Sequence, residues 1–206
     1  MKLYYAPGAC SLAPHIVSRE AGLDLELVKV DLSAHKLGDG SDYYAVNPKG
    51  YVPAIRLDDG QMLTEAANIV QYLADRKPES GLAPAAGTPE RYRLMEWLTY
   101  VSSELHKGIG VLFLPKLADD AKQVLKEKAM TRLAWLEKEL ASRDFLTGSR
   151  FTAADAYAFT VLRWTGPLGF DLTAFPNIRA FMDRVAARPK VQEALRAEGL
   201  LQAQAA

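Results

Sequence analysis

Residues 2–14 read KLYYAPGACSLAP, and they put the single cysteine of the chain, Cys10, at the start of a helix. Lys2-Leu3-Tyr4-Tyr5 is a short aromatic and apolar run of strand type. Pro7-Gly8 breaks it, and a helix-periodic segment carrying Leu12, His15, Ile16 and Arg19 then runs to Gly22. The first N–H groups of a helix lack partners within it and favour a thiolate over a thiol. A helix terminus is worth about 0.3–1 kcal/mol and a pKa unit about 1.36 kcal/mol, so the dipole alone lowers a thiol pKa by less than a unit. A nucleophilic Cys10 therefore needs a second positive or hydrogen-bonding group from elsewhere in the chain. On this stretch alone, a buried and inert cysteine reads as well as a reactive one.

The chain has 206 residues, 49% of them hydrophobic, with 25 basic and 25 acidic residues. That length buries a real core in one large or two small domains. A formal net charge of zero, with both signs interspersed, leaves no electrostatic footprint for nucleic acid or an anionic membrane. One cysteine excludes an internal disulfide and suits a reducing compartment. No basic-then-apolar leader and no long apolar run is present, so the expected setting is the cytoplasm.

Working outward, LELVKV at residues 25–30 alternates as a strand. The polar stretch from Asp31 to Asp42 reads as a loop. Asn47-Pro48-Lys49-Gly50-Tyr51-Val52-Pro53 is a turn cluster leading into a strand at Ala54-Ile55-Arg56-Leu57. Asp58-Asp59-Gly60 signals a hairpin, and Gln61-Met62-Leu63 is its return strand. Thr64 is expected to cap a helix carrying Ile69, Val70, Tyr72 and Leu73. This order resembles a thioredoxin-like layer structure over residues 1–77.

Pro78, Gly81, Pro84, Gly87 and Pro89 mark residues 78–89 as a linker. From residue 90 to 206 the apolar spacing is helical: Leu94, Trp97, Leu98, Val101 and Leu105, then Leu125, Ala129, Leu133, Leu136 and Leu140, then Ile178, Phe181, Met182 and Val185. An all-helical second domain follows. Thr152-Ala-Ala-Asp155 fits a capping box, so Asp155 reads as a folding element at the head of a buried helix. The polar, alanine-rich last few residues are expected to be loosely held.

The combination resembles a cytosolic glutathione transferase, and more specifically the bacterial beta class. The resemblance rests on KLYYAPGACSLAPH, VNPKGYVPAIRLDDG, LTEAANIVQYLAD, EWLTYVSSELHKG and RFTAADAYAFTVLRW, and covers nearly the whole chain. The fold it implies is α/β plus all-α, a thioredoxin-like domain followed by a helical one. It also implies roles for particular residues. Val52, with Tyr51 beside it, joins Pro53 through a cis peptide that turns backbone groups toward the cysteinyl part of glutathione. Glu65 and Ala66 match the pair that holds the γ-glutamyl end, the helix N–H groups taking the carboxylate and Glu65 the ammonium. Many relatives carry serine where Ala66 stands, so weaker glutathione affinity is expected.

His106 matches the beta-class histidine that approaches the cysteine sulfur, and would supply the second group Cys10 requires. Ser103 and Glu104 resemble residues that reach the γ-glutamyl group of a neighbouring subunit, which implies a homodimer. Thr99 stands where relatives often have asparagine. His35 occupies a lysine position that pairs with the glycine carboxylate, with Lys36 adjacent. His15, five residues after Cys10, lies off its helix face, so no metal site is expected.

With no second cysteine, a resolving thiol must come from outside. Glutathione, bound with its sulfur near Cys10 and His106, would attack a small hydrophobic electrophile or form a mixed disulfide with Cys10. The electrophile pocket is expected to involve residues 110–115 and 164–168. The alternatives are a glutathione-dependent reductase or dehalogenase, and a non-catalytic binding protein of the same fold.

Overall fold

The computed structural model describes residues 1–201. The expectation for the alanine-rich tail falls mainly on residues 202–206, outside the described residues. Two compact units emerge, one of residues 1–83 together with the segment from Arg188 on, the other of residues 84–187.

The first unit is built on β1 (Lys2–Tyr5), α1 (Leu12–Glu20), β2 (Glu26–Asp31), β3 (Lys36–Leu37), β4 (Ala54–Arg56), β5 (Met62–Thr64) and α2 (Ala66–Asp75). The five strands form one sheet in the order β3-β2-β1-β4-β5. β2 runs parallel to the central β1, while β4 runs antiparallel to β1 and β5 antiparallel to β4. A central strand is covered on both faces, which is why Leu3 and its neighbour Tyr4 are both buried. Leu3, Leu12, Ile16, Ile55, Ile69 and Leu73 are fully buried among β1, β4, α1 and α2. Tyr4, Val30, Tyr43, Val52 and Ala54 make a separate cluster, with Ala9 packed at its edge. This second cluster is the floor under the loop that carries Cys10.

Three details depart from the sequence reading. The polar stretch after β2 contains β3, because Val30 pairs with Leu37 and Asp31 with Lys36 in an antiparallel ladder that needs no apolar run. Thr64 does not cap α2: it ends β5 opposite Ala54, and Glu65 takes the cap position at φ 70°. The last helix, α8 (Pro189–Ala197), packs with the first unit, although its sequence lies in the span assigned to the helical half. Val191, Ala194 and Leu195 bury its apolar face, and Arg188 ties it to α1 through a two-pronged pair with Glu20, both contacts 2.7 Å.

Every named element of the second unit is helical: α3 (Pro89–Tyr100), α4 (Lys107–Gly110), α5 (Asp119–Leu140), α6 (Ala153–Leu162) and α7 (Pro176–Ala186). Thr88 caps α3 by accepting the Arg91 N–H, with Pro89 at the first helical position. Between α3 and α4, Val101–His106 is π-helical, a wide turn that interrupts the regular hydrogen-bond ladder. α6 is buried all round and starts from the expected box. Thr152 receives the backbone N–H of Asp155, and the Asp155 carboxylate takes the Thr152 N–H at 2.7 Å. Its other oxygen takes the Leu146 N–H at 2.7 Å. α7 has no side-chain cap of its own, and Glu137 of α5 accepts the Asn177 and Ile178 N–H groups, each at 2.9 Å.

Candidate functional site

Cys10 lies in the turn before α1, two residues ahead of its first helical residue. Its Sγ donates to the carbonyl of Val52 at 3.1 Å. The Val52–Pro53 peptide is cis, as the resemblance implied. Two side chains hold the residue before it by the backbone: Tyr43 Oη donates to the Tyr51 carbonyl at 2.9 Å, and Asn47 Nδ2 donates to the same oxygen at 2.8 Å. Burial pushes the Tyr43 phenol up to about 12, so this donor stays protonated over the working pH range. The Tyr51 ring itself is 68% exposed.

The loop leading to Cys10 is closed at its neck. Ser11 Oγ accepts the Ala6 N–H at 3.1 Å and stands 3.2 Å from the Ala6 carbonyl, and the Ala9 N–H reaches that carbonyl at 3.0 Å.

At the head of α2, the Glu65 carbonyl takes the N–H groups of Asn68 and Ile69 at 3.0 and 2.9 Å. No side chain caps this end. By helix geometry the Ala66 and Ala67 N–H groups have no partner within the helix, and the positive end of its dipole favours an anion there. The Glu65 side chain is exposed and pairs with Lys49, whose Nζ lies 2.8 Å from Oε1 and 3.0 Å from Thr64 Oγ1.

His35 has φ 51° and stacks on Tyr44, ring centres 4.5 Å apart. Its Nδ1 is buried with no hydrogen-bond partner. Gly50, at φ +69°, belongs to this packing: a Cβ there would come within 2.7 Å of the Tyr44 ring and 3.2 Å of His35 Cε1.

The remaining candidates lie in the second unit. His106 Nδ1 is 2.6 Å from Tyr157 Oη, and its ring meets Trp164 edge-on at 4.9 Å. Gly110 faces both rings, at 3.4 Å from Trp164 and 3.5 Å from His106 for an added Cβ. Phe113 stacks edge-on against Trp164 at 5.9 Å, so the two segments named for the electrophile meet within this unit. Ser103 Oγ donates to the Thr99 carbonyl at 2.9 Å, and Glu104 pairs with Arg132. Ser103, Glu104 and His106 all fall in the π-helical turn.

Sequence reasoning missed Lys49, Tyr43 and Asn47, which act through backbone or through Glu65, and Glu198, 188 positions downstream of Cys10. Among the described residues no group of three or more His, Cys, Asp and Glu is arranged to hold a metal ion. No described helix is long and apolar enough to cross a membrane.

A family model for the glutathione S-transferase N-terminal domain matches residues 8–76, and one for the C-terminal domain matches residues 95–189. Glutathione S-transferase GstA of Escherichia coli O157:H7 is 49% identical over 97% of this chain and 100% of its own length. The chain belongs to the glutathione S-transferase family. Among solved structures, a sphingomonad glutathione S-transferase complexed with glutathione superposes with a TM-score of 0.94 at 49% identity, covering 98% of this chain and 100% of its own. The beta-class glutathione S-transferase of Sphingomonas chungbukensis gives 0.95 at 47%, over 98% of this chain and 100% of its own. As a glutathione S-transferase the protein is an enzyme, with the thioredoxin-like and helical halves of that fold.

Proposed function

We propose that this transferase conjugates glutathione with small hydrophobic electrophiles, and that glutathione lies along the first unit from the head of α2 to Cys10. The observation that carries this is the contact of Cys10 with the carbonyl of the cis Val52–Pro53 peptide. It sets a thiol beside the backbone that would pair with the cysteinyl residue of the tripeptide. The γ-glutamyl carboxylate would take the Ala66 and Ala67 N–H groups, and Glu65 the ammonium. The glycine carboxylate goes to His35 or to Lys36. Ser103 and Glu104 are assigned to the γ-glutamyl end in the second subunit of a homodimer, Thr99 to glutathione binding on the same helical stretch, and His106 to the reacting sulfur. Exposed Tyr92, Met95 and Trp135 on α3 and α5 support a homodimer contact there. So does the adjoining surface cavity of about 520 Å³, lined in part by Arg93, Trp97, Tyr100 and Arg143.

In conjugation the glutathione thiol gives up its proton, the thiolate forms a bond to an electrophilic carbon, and the leaving group departs with the electron pair. In thiol exchange the Cys10 thiolate attacks one sulfur of oxidised glutathione, the old S–S bond breaks, and one glutathione thiolate leaves. Cys10 is half-buried rather than sealed in the core, which favours this as a second activity. The supporting setting is a reducing cytoplasm, where a lone cysteine and an external thiol meet.

Retention on immobilised glutathione, followed by turnover of an activated aryl chloride with free glutathione, tests the reading. Retention with turnover is the expected result. A folded protein that neither binds nor turns over would replace it with the binding-module reading.

A further inference from the structure

Glu198 follows the last turn of α8 and is buried, 6% exposed, with its side chain wholly covered. Its two oxygens have separate duties. Oε1 lies 2.9 Å from His15 Nδ1 on α1, and Oε2 accepts the Gly8 N–H at 2.9 Å. Arg19 Nε donates toward His15 Nε2 over 3.5 Å. A carboxylate oxygen only accepts, so the His15–Glu198 bond runs from Nδ1–H to Oε1. Tyr5 completes the surroundings: its ring is 6.3 Å from that of His15, and burial, then the Glu198 charge, push its phenol up.

A buried carboxylate is an expensive way to pack one helix on another, since apolar residues of similar volume do so without desolvating a charge. What Glu198 offers that an apolar residue lacks is an acceptor for His15 and for the Gly8 N–H together, which links α1 and the Cys10 loop to one side chain. Gly8 sits two residues before Cys10, at φ +73°, and Leu200 lies 3.4 Å from where its Cβ would stand. The neck of this loop is closed by Ala6 and Ser11, and its tip is held from α8.

We infer that Glu198 is a positioning residue for Cys10: through the Gly8 N–H it fixes the loop that aims the sulfur at bound glutathione. The inference rests on the reading of Cys10 given above. The reacting step is the exchange already written, Cys10 thiolate on oxidised glutathione with release of one glutathione thiolate. Glu198 touches none of the reacting atoms.

The test follows the Cys10–glutathione adduct by intact mass against oxidised glutathione concentration, in wild type, Glu198→Gln, Glu198→Ala and Arg188→Ala. Arg188→Ala cuts the other polar tie between α8 and α1 and leaves the loop contacts alone. In Glu198→Ala the maximal rate falls roughly ten-fold with an unchanged half-saturating concentration, because displacing a reacting atom by an ångström costs up to about 10²-fold, while Glu198→Gln, whose amide oxygen can still accept the Gly8 N–H, falls less. Arg188→Ala loses thermal stability and keeps the wild-type rate. A wild-type rate in folded Glu198→Ala overturns the inference, and so does an equal fall in Arg188→Ala. If Glu198→Ala does not fold, Glu198→Leu keeps most of the volume without an acceptor and is expected to show the same fall, and hydrogen exchange in the wild type reports directly. Protection of the Gly8 amide is expected, and exchange at the rate of an open loop overturns the inference. A wild type that forms no adduct overturns the Cys10 reading instead.

Discussion

Lys49 Nζ and Glu65 Oε1 stand 2.8 Å apart at the uncapped head of α2, so the side chain assigned to the glutathione ammonium already has a cation beside it. Both side chains are more than half exposed, and a pair of that kind contributes at most about 1 kcal/mol to stability. Glu65 therefore has little to do for the fold. Glu65→Gln is expected to leave Tm near the wild-type value while raising KM for glutathione roughly ten-fold or more, the loss of a charge-assisted hydrogen bond. Thermal melts and glutathione titration of turnover check both halves.

Cys10→Ser removes the sulfur but keeps a hydroxyl able to donate to the Val52 carbonyl. The variant is expected to fold, to bind immobilised glutathione and to form no reducible adduct with oxidised glutathione. Conjugation through bound glutathione should persist. Intact mass with and without reductant reads the adduct, and a wild type that carries none would overturn the expectation, since Cys10 is the single thiol of the chain.

Tyr157→Phe deletes the hydroxyl that stands 2.6 Å from His106 Nδ1 and leaves the ring in the core. Its stability cost is that of one net hydrogen bond, about 1 kcal/mol. Its effect on thiol exchange should be larger than that, because the direction of the His106 ring is released. Rates of adduct formation in Tyr157→Phe and His106→Ala should then move the same way.

Asp155 is buried, and burial pushes its carboxyl up to about 6 from an ordinary 3.8, against the bonds from Leu146 and Thr152 that pull it down. The folded chain thus holds this proton where the unfolded chain has released it. This group adds stability as the pH is lowered from 7 through 6 toward 4, by about 3 kcal/mol, and that gain is absent above pH 6. The stability of wild type relative to Asp155→Asn should rise over that range in urea melts. Asp155→Ala leaves buried N–H donors without an acceptor and should cost on the order of 3–5 kcal/mol.

Much of this molecule was legible in short-range pattern. The strand-loop-cysteine-helix opening, the proline at the head of β4 and the Thr152–Asp155 box each rest on residues within a few positions of one another. Apolar spacing located the buried faces of α3, α5 and α7 for the same reason. What escaped depends on partners far apart in sequence. β3 exists because β2 offers a ladder edge, and no property of Lys36-Leu37 announces it. Glu65 at φ 70° is a conformation that only the meeting of β5 with α2 explains. The partner of His15 is Glu198, 183 residues later, and only the folded chain brings them together.

The π-helical turn at Val101–His106 works as a phase shifter. It takes one residue more than an α-helical turn over nearly the same rise, so every side chain after it is rotated by roughly 100° from where a regular helix would put it. That rotation points His106 at Tyr157 and Gly110 at Trp164. Deleting one residue here would restore the ordinary ladder while keeping every functional side chain in the sequence. The histidine would then face a different neighbour, so its direction is set by the length of the chain before it as much as by its own chemistry.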